Sequence, residues 1–141
     1  MARHAHYEYY VDRTCRLVVV YRTPRPFETL ESVAESLDQS LVATVGIDRR
    51  TYSLLVDVRD GPSRNDPEFE KTLAEHRGKI LRGYAKIATL TTTMVGALHV
   101  KRLATSDGLD VFISDDVNQV FNYLNLARHE WPRMPIRPSL F

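Results

Sequence analysis

The segment Tyr52-Ser53-Leu54-Leu55-Val56-Asp57-Val58-Arg59-Asp60 runs directly into Gly61-Pro62-Ser63-Arg64-Asn65-Asp66-Pro67. Its first half is a near-continuous apolar run, the pattern of a strand covered on both faces of a sheet. Gly61-Pro62 breaks the run, and Asp66-Pro67 then offers a helix start. A residue before proline avoids helical angles, a carboxylate there can cap, and proline fits the first helical position. Strand, turn and helix start in that order form the carboxyl edge of an open α/β sheet, where such folds place their binding sites.

Toward the N-terminus, His6-Tyr7-Glu8-Tyr9-Tyr10-Val11-Asp12 reads as an aromatic-rich strand, and residues 15–22 (Cys-Arg-Leu-Val-Val-Val-Tyr-Arg) as a more central one. A turn at Asp12-Arg13-Thr14 makes them an antiparallel hairpin, with residues 6–12 at the sheet edge. Pro24 and Pro26 end the pair, because proline cannot donate to a ladder. From 28 to 45 the period becomes helical: Leu30, Val33, Ala34, Leu37 and Leu41 form one stripe, and Gly46 stops it.

Toward the C-terminus, the spacing predicts a helix over 67–81 with Phe69, Leu73, His76 and Ile80 on one side. A strand over 84–90 follows, then a helix over 94–104 capped from Thr91-Thr92-Thr93, with Met94, Ala97 and Leu98 inward. A short strand at 109–113 precedes a last helix opened by Ser114-Asp115-Asp116, whose stripe is Val117, Val120, Phe121 and Leu124. The expected fold is α/β: a mixed sheet of about five strands with four helices, in the order β-β-α-β-α-β-α-β-α. Strands three to five should be parallel neighbours joined by right-handed crossovers. Residues 1–127 read as one domain and 128–141 as a Pro/Arg-rich tail that packs back on the body through Trp131, with an extended recognition segment at Pro132-x-x-Pro135 as the alternative.

The chain of 141 residues has 43% hydrophobic and 26% charged residues and a net charge of +1. That balance is ordinary for a globular protein and lacks the basic excess of a nucleic-acid binder. A single cysteine, Cys15, allows no internal disulfide and suits a reducing compartment. No stretch approaches the roughly 18 apolar residues of a membrane span, and Met1-Ala2-Arg3-His4 lacks the apolar run of a leader. A cytoplasmic location is the expectation.

Candidates for chemistry are sparse. His4, His6, His76, His99 and His129 show no metal-ligand spacing. Asp57, Asp60 and Asp66 surround the end of the central strand, but a cap and a turn account for Asp66 and Asp60 better than a metal does. Thr91-Thr92-Thr93 opens a helix without a glycine-rich turn, so capping accounts for it better than anion binding. No catalytic set, metal site or cofactor is expected.

The element order, together with the Leu54-Leu55-Val56-Asp57-Val58 strand, resembles the STAS domain of anti-sigma-factor antagonists (SpoIIAA-like proteins) and the STAS/SEC14-type bacterial proteins, over about residues 6–126. The family's regulatory motif is an Asp-Ser-Ser-Gly-like segment opening the helix after that strand, where a kinase phosphorylates a serine and abolishes partner binding. The matching positions here, Asn65, Asp66, Pro67 and Glu68, hold no hydroxyl; the nearest is Ser63, in the loop. The resemblance implies a non-enzymatic regulatory or adaptor module that binds a protein partner through Arg59, Asp60, Ser63, Arg64, Asn65 and Asp66. Its SEC14 side implies, alternatively, a small-ligand or lipid carrier. Neither reading involves nucleic acid, and both are compatible with a homo-oligomer.

Overall fold

A computed structural model describes residues 2–3, 6–62 and 67–126. Six strands form one sheet in chain order: β1 (Ala2–Arg3), β2 (Tyr7–Asp12), β3 (Leu17–Arg22), β4 (Ser53–Asp57), β5 (Lys86–Leu90) and β6 (Phe112–Ser114). The β1–β2 and β2–β3 pairs are antiparallel, and β3 through β6 pair in parallel. The described residues also form four α-helices, α1 (Leu30–Ala43), α2 (Pro67–Leu81), α3 (Met94–Asp107) and α4 (Val117–Tyr123), and a short 3-10 helix at Arg49–Thr51.

The fold class and element order are as the sequence predicts, with local differences. The two-residue β1 covers β2, so residues 6–12 are not the edge. The last strand is Phe112–Ser114 rather than 109–113, and α3 continues to Asp107, where Gly108 ends it at φ 69°. Glycine reaches that left-handed conformation without a Cβ clash.

Register explains why β4 is apolar on both sides. Leu54 pairs across to Val18 and Ile87, while its neighbour Leu55 pairs to Val19 and Ala88. Side chains alternate along a strand. One face thus collects Tyr9, Val18, Val20, Tyr52, Leu54 and Ile87, with Ala43, Leu81 and Tyr84 from the α1 and α2 ends packed on it. The other collects Tyr10, Leu17, Val19, Leu55, Ala88 and Leu90 beneath Val120, Phe121 and Leu124 of α4. Cys15 packs half-buried against this second layer. Val56, expected inside, is only half-buried.

The α1–α2 seam is apolar: Phe27, Val33, Leu37 and Phe69 are buried there, with Leu73 and Ile80 alongside. Beneath α1 the packing is polar. Ser36 and Ser40 are buried, Ser40 Oγ bonds the Tyr9 hydroxyl, and Ser36 Oγ lies 2.9 Å from His6 Nδ1. Burial holds the Tyr9 phenol well above its ordinary value of 10.0, against the lowering effect of Ser40. The unfolded chain ionises this group first, so its contribution to stability is complete below about pH 10 and lost as pH rises further. Tyr9→Phe should therefore lower stability at neutral pH by about 0.5–1.5 kcal/mol and flatten the alkaline decline. The flattening is partial, because burial also raises Tyr7 and Tyr84. Urea unfolding as a function of pH measures this; an unchanged alkaline slope would remove Tyr9 from the account.

The third helix departs most from expectation. Thr93 caps it by accepting from Gly96 N at 2.9 Å, as the threonine run predicts. A Cβ on Gly96 would lie 2.7 Å from Thr91 Oγ1, so the first turn sits close against the strand end. Yet Met94 and Leu98, expected inward, are exposed, and no α3 side chain is fully buried. The helix lies beside α2 through the bidentate Arg77–Asp107 pair and through Glu70, which meets Arg102 at 2.8 Å and His99 at 3.8 Å.

Candidate functional site

At the carboxyl edge of the sheet the chain leaves β4 into the loop singled out by the sequence. Asp57 is the last residue of β4 and is almost fully buried. The chain turns directly after β4, and that turn brings Arg59 back onto the Asp57 carboxylate. Arg59 Nε and Nη2 each donate to a different Asp57 oxygen at 3.0 Å, and the Arg59 backbone N–H donates to Oδ1 at 3.1 Å. The side chains are 8% and 2% exposed, which makes this a buried bidentate pair.

The next residues are held as well. Val58 N–H donates to Leu90 O at 3.0 Å, tying the loop to the end of β5. The Tyr21 hydroxyl, at the end of β3, donates to Asp60 Oδ2 at 2.5 Å. Gly61 N–H closes a turn onto Val58 O at 3.2 Å. A Cβ on Gly61 would meet Arg22 Cγ at 2.6 Å, so only glycine lets the loop lie this close to β3.

Arg22 is itself a framing residue. Its Nη1 donates to the carbonyls of His6, Thr23 and Arg25, and its guanidinium stacks 4.4 Å over the Phe27 ring. Burial lowers its pKa, with Tyr7 acting in the opposite direction. The β3–α1 connection is thereby fixed next to the Val58–Gly61 turn.

Of the six residues expected to meet a partner, Arg59 and Asp60 are described, and both bond within the chain. The Arg59 fork faces Asp57 rather than solvent, so its role in the described geometry is to shape the loop. Ser63, Arg64, Asn65 and Asp66 lie outside the described residues, and with them the expected Asp66 cap. The tail with Trp131, His4 and His129 also lies outside them.

The other candidates resolve into structural contacts. His76 Nδ1 lies 3.5 Å from Asp38 across the α1–α2 seam. Ser36 and His6 have the separation of a nucleophile and its base, but the Ser36 side chain is fully buried and out of reach of a substrate. Among the described residues, no three His, Cys, Asp or Glu side chains gather as a metal would require, and no helix is long and apolar enough to cross a membrane. The sequence did not reveal the Asp57–Arg59 and Tyr21–Asp60 pairs. The first had a signal, the two-residue spacing at a strand end; the second joins residues 39 apart and had none. Comparison with family models, curated proteins and solved structures finds no match.

Proposed function

We propose that this chain is a non-enzymatic, cytoplasmic regulatory or adaptor module of the STAS-like kind. It binds a protein partner through the loop after β4 and the start of α2. The observation that carries this reading is the first part of that loop: the Asp57–Arg59 pair, the Tyr21–Asp60 bond and the Val58–Leu90 hydrogen bond tie residues 58–61 to the sheet's carboxyl edge. A preset loop spends less ordering entropy on binding than a free one. The consecutive strand order, opened by an antiparallel hairpin, agrees with the STAS-like arrangement. A carrier would need room between sheet and helices. Tyr9, Tyr52, Leu54 and Ile87 meet Ala43, Leu81 and Tyr84 there, which favours the binding module.

Binding is constitutive with respect to serine kinases, because Asp66-Pro67 stands where the family carries its acceptor. A carboxylate carries less charge and fewer acceptor oxygens than a phosphate, so Asp66 is not a standing phospho-mimic. Contact runs through Arg64 and Asn65, whose donors suit an acidic or carbonyl-lined surface.

Affinity capture from the native host tests this reading. Arg64→Ala should weaken retention of the partner by about tenfold, equivalent to about 1.4 kcal/mol, with an unchanged melting temperature. Equal retention by both proteins would refute the assignment. Stoichiometric phosphate on Ser63, coupled to a change in partner affinity, would restore the family's switch at a shifted position.

A further inference from the structure

On the Leu55 side of the sheet, the β2–β3 half is buried although no described helix lies over it. Register sets Glu8, Tyr10 and Asp12 of β2 opposite Tyr21, Val19 and Leu17 of β3 on that side. Tyr10, Val19 and Tyr21 are 7%, 9% and 1% exposed. Among the described residues α4 is the helix on this side, and it packs against β5 and β6. Strands lie about 4.8 Å apart, which puts β3 about 10 Å and β2 about 14 Å from β5. A helix about 10 Å wide covers about two strands.

The end of α4 says what covers it. Asn125 is left-handed at φ 60°, its N–H donates to Asn122 O at 3.1 Å, and Leu126 N–H donates to Phe121 O at 3.0 Å. This ending folds the chain back, and Leu126 packs on the same layer as Tyr10 and Val19. Residues 127–141 follow from there. At about 3.1 Å per residue they reach roughly 45 Å, ample to cross from β5 to β2. Pro132, Pro135 and Pro138 recur at every third position, the period of the extended proline helix, so that Trp131, Met134 and Leu140 share a second edge. Such a segment makes no ladder and can lie on side chains. Its charge fits as well. Glu8 and Asp12 flank Tyr10 in its row, both half-buried, and Asp12 Oδ2 is buried with no hydrogen-bond partner among the described residues. Residues 127–141 bring Arg128, Arg133 and Arg137, and a buried carboxylate favours a cation beside it.

We propose that residues 127–141 complete the domain by lying across β2 and β3 on the Leu55 side. The Trp131–Met134 edge meets Tyr10 and Val19, and the arginines meet Glu8 and Asp12. The segment is then a built-in cover of the sheet and is not displayed as a proline-rich recognition element. This assignment does not rest on partner binding at the loop after β4.

Trp131 and Cys15 are the single tryptophan and the single cysteine of the chain, and Cys15 packs against the same layer. Both report on the full chain in solution. Acrylamide should quench Trp131 far less in the native protein than in urea, and nuclear Overhauser contacts should join its indole to Tyr10 and Val19. Met134→Asp should expose Trp131 and raise the reactivity of Cys15 toward a soluble disulfide reagent by about tenfold, because losing one buried Met side chain shifts docking by at least that factor. Leu98→Glu, on an exposed residue of α3 across the sheet, should change neither signal. Native Trp131 quenched as strongly as in urea would overturn the proposal, as would indole contacts to Met94 and Leu98 in place of Tyr10 and Val19. Unchanged Cys15 reactivity in a Met134→Asp chain with native circular dichroism would overturn it too. Should Met134→Asp unfold the chain, the indole contacts of the native protein still decide.

Discussion

Asp57→Ala should destabilise the protein by about 3–5 kcal/mol, the cost of breaking a buried, bidentate ion pair. Two donors of the Arg59 side chain, which is 8% exposed, lose the Asp57 carboxylate. Its backbone N–H loses an acceptor as well. Removing both side chains should cost less than the sum of the single changes, because both single changes remove the same interaction. A double-mutant cycle by urea denaturation measures the coupling. A single-variant loss below about 1 kcal/mol, with additive effects, would mean that the pair does not hold the loop.

Leu55→Ala should cost about 2–5 kcal/mol, combining lost burial with the cavity left behind. Leu55 is 1% exposed in the layer under α4, and its neighbour Leu54 is equally buried on the other face. Leu54→Ala should therefore fall in the same range, through different neighbours. Such double-sided sensitivity belongs to an interior strand. A loss below about 1 kcal/mol at either position would place this strand at an edge and undo the topology.

The interior strand was legible because nothing about it is ambiguous: Leu54 and Leu55 are adjacent, so a chain of period two must bury both faces. The α4 stripe of Val120, Phe121 and Leu124 was legible for the corresponding helical reason, and all three are buried. The third helix was misread because apolar periodicity assumes that large residues face inward. Here the inward side is instead Gly96, Val100, Leu103 and Ala104, since Gly96 passes close to Thr91 and the neighbouring β6 has only three residues to pack on. Ion pairs to α2 do the anchoring that a broad apolar stripe would otherwise do. Ser36 and Ser40 carried no signal in the apolar stripe, yet they are buried because Tyr9 and His6 meet their hydroxyls inside.

At the site, element order placed the loop correctly at the carboxyl edge, and the proline-glycine break located the turn. The sequence could not say which charges face out. Arg59 looked available to a partner because it sits in a polar stretch. Its closeness to Asp57 across the turn after β4 outweighs that, since a buried carboxylate is a strong acceptor.

Hydrogen exchange on the chain, alone and bound to the host protein it captures, measures the central claim most directly. The account predicts added protection at the amides of Val58–Gly61 and in the first turn of α2, from Glu68 to Glu70, with α1 and α4 unchanged. Protection spread over the Tyr9, Tyr52 and Ile87 layer, or none at the loop, would contradict it.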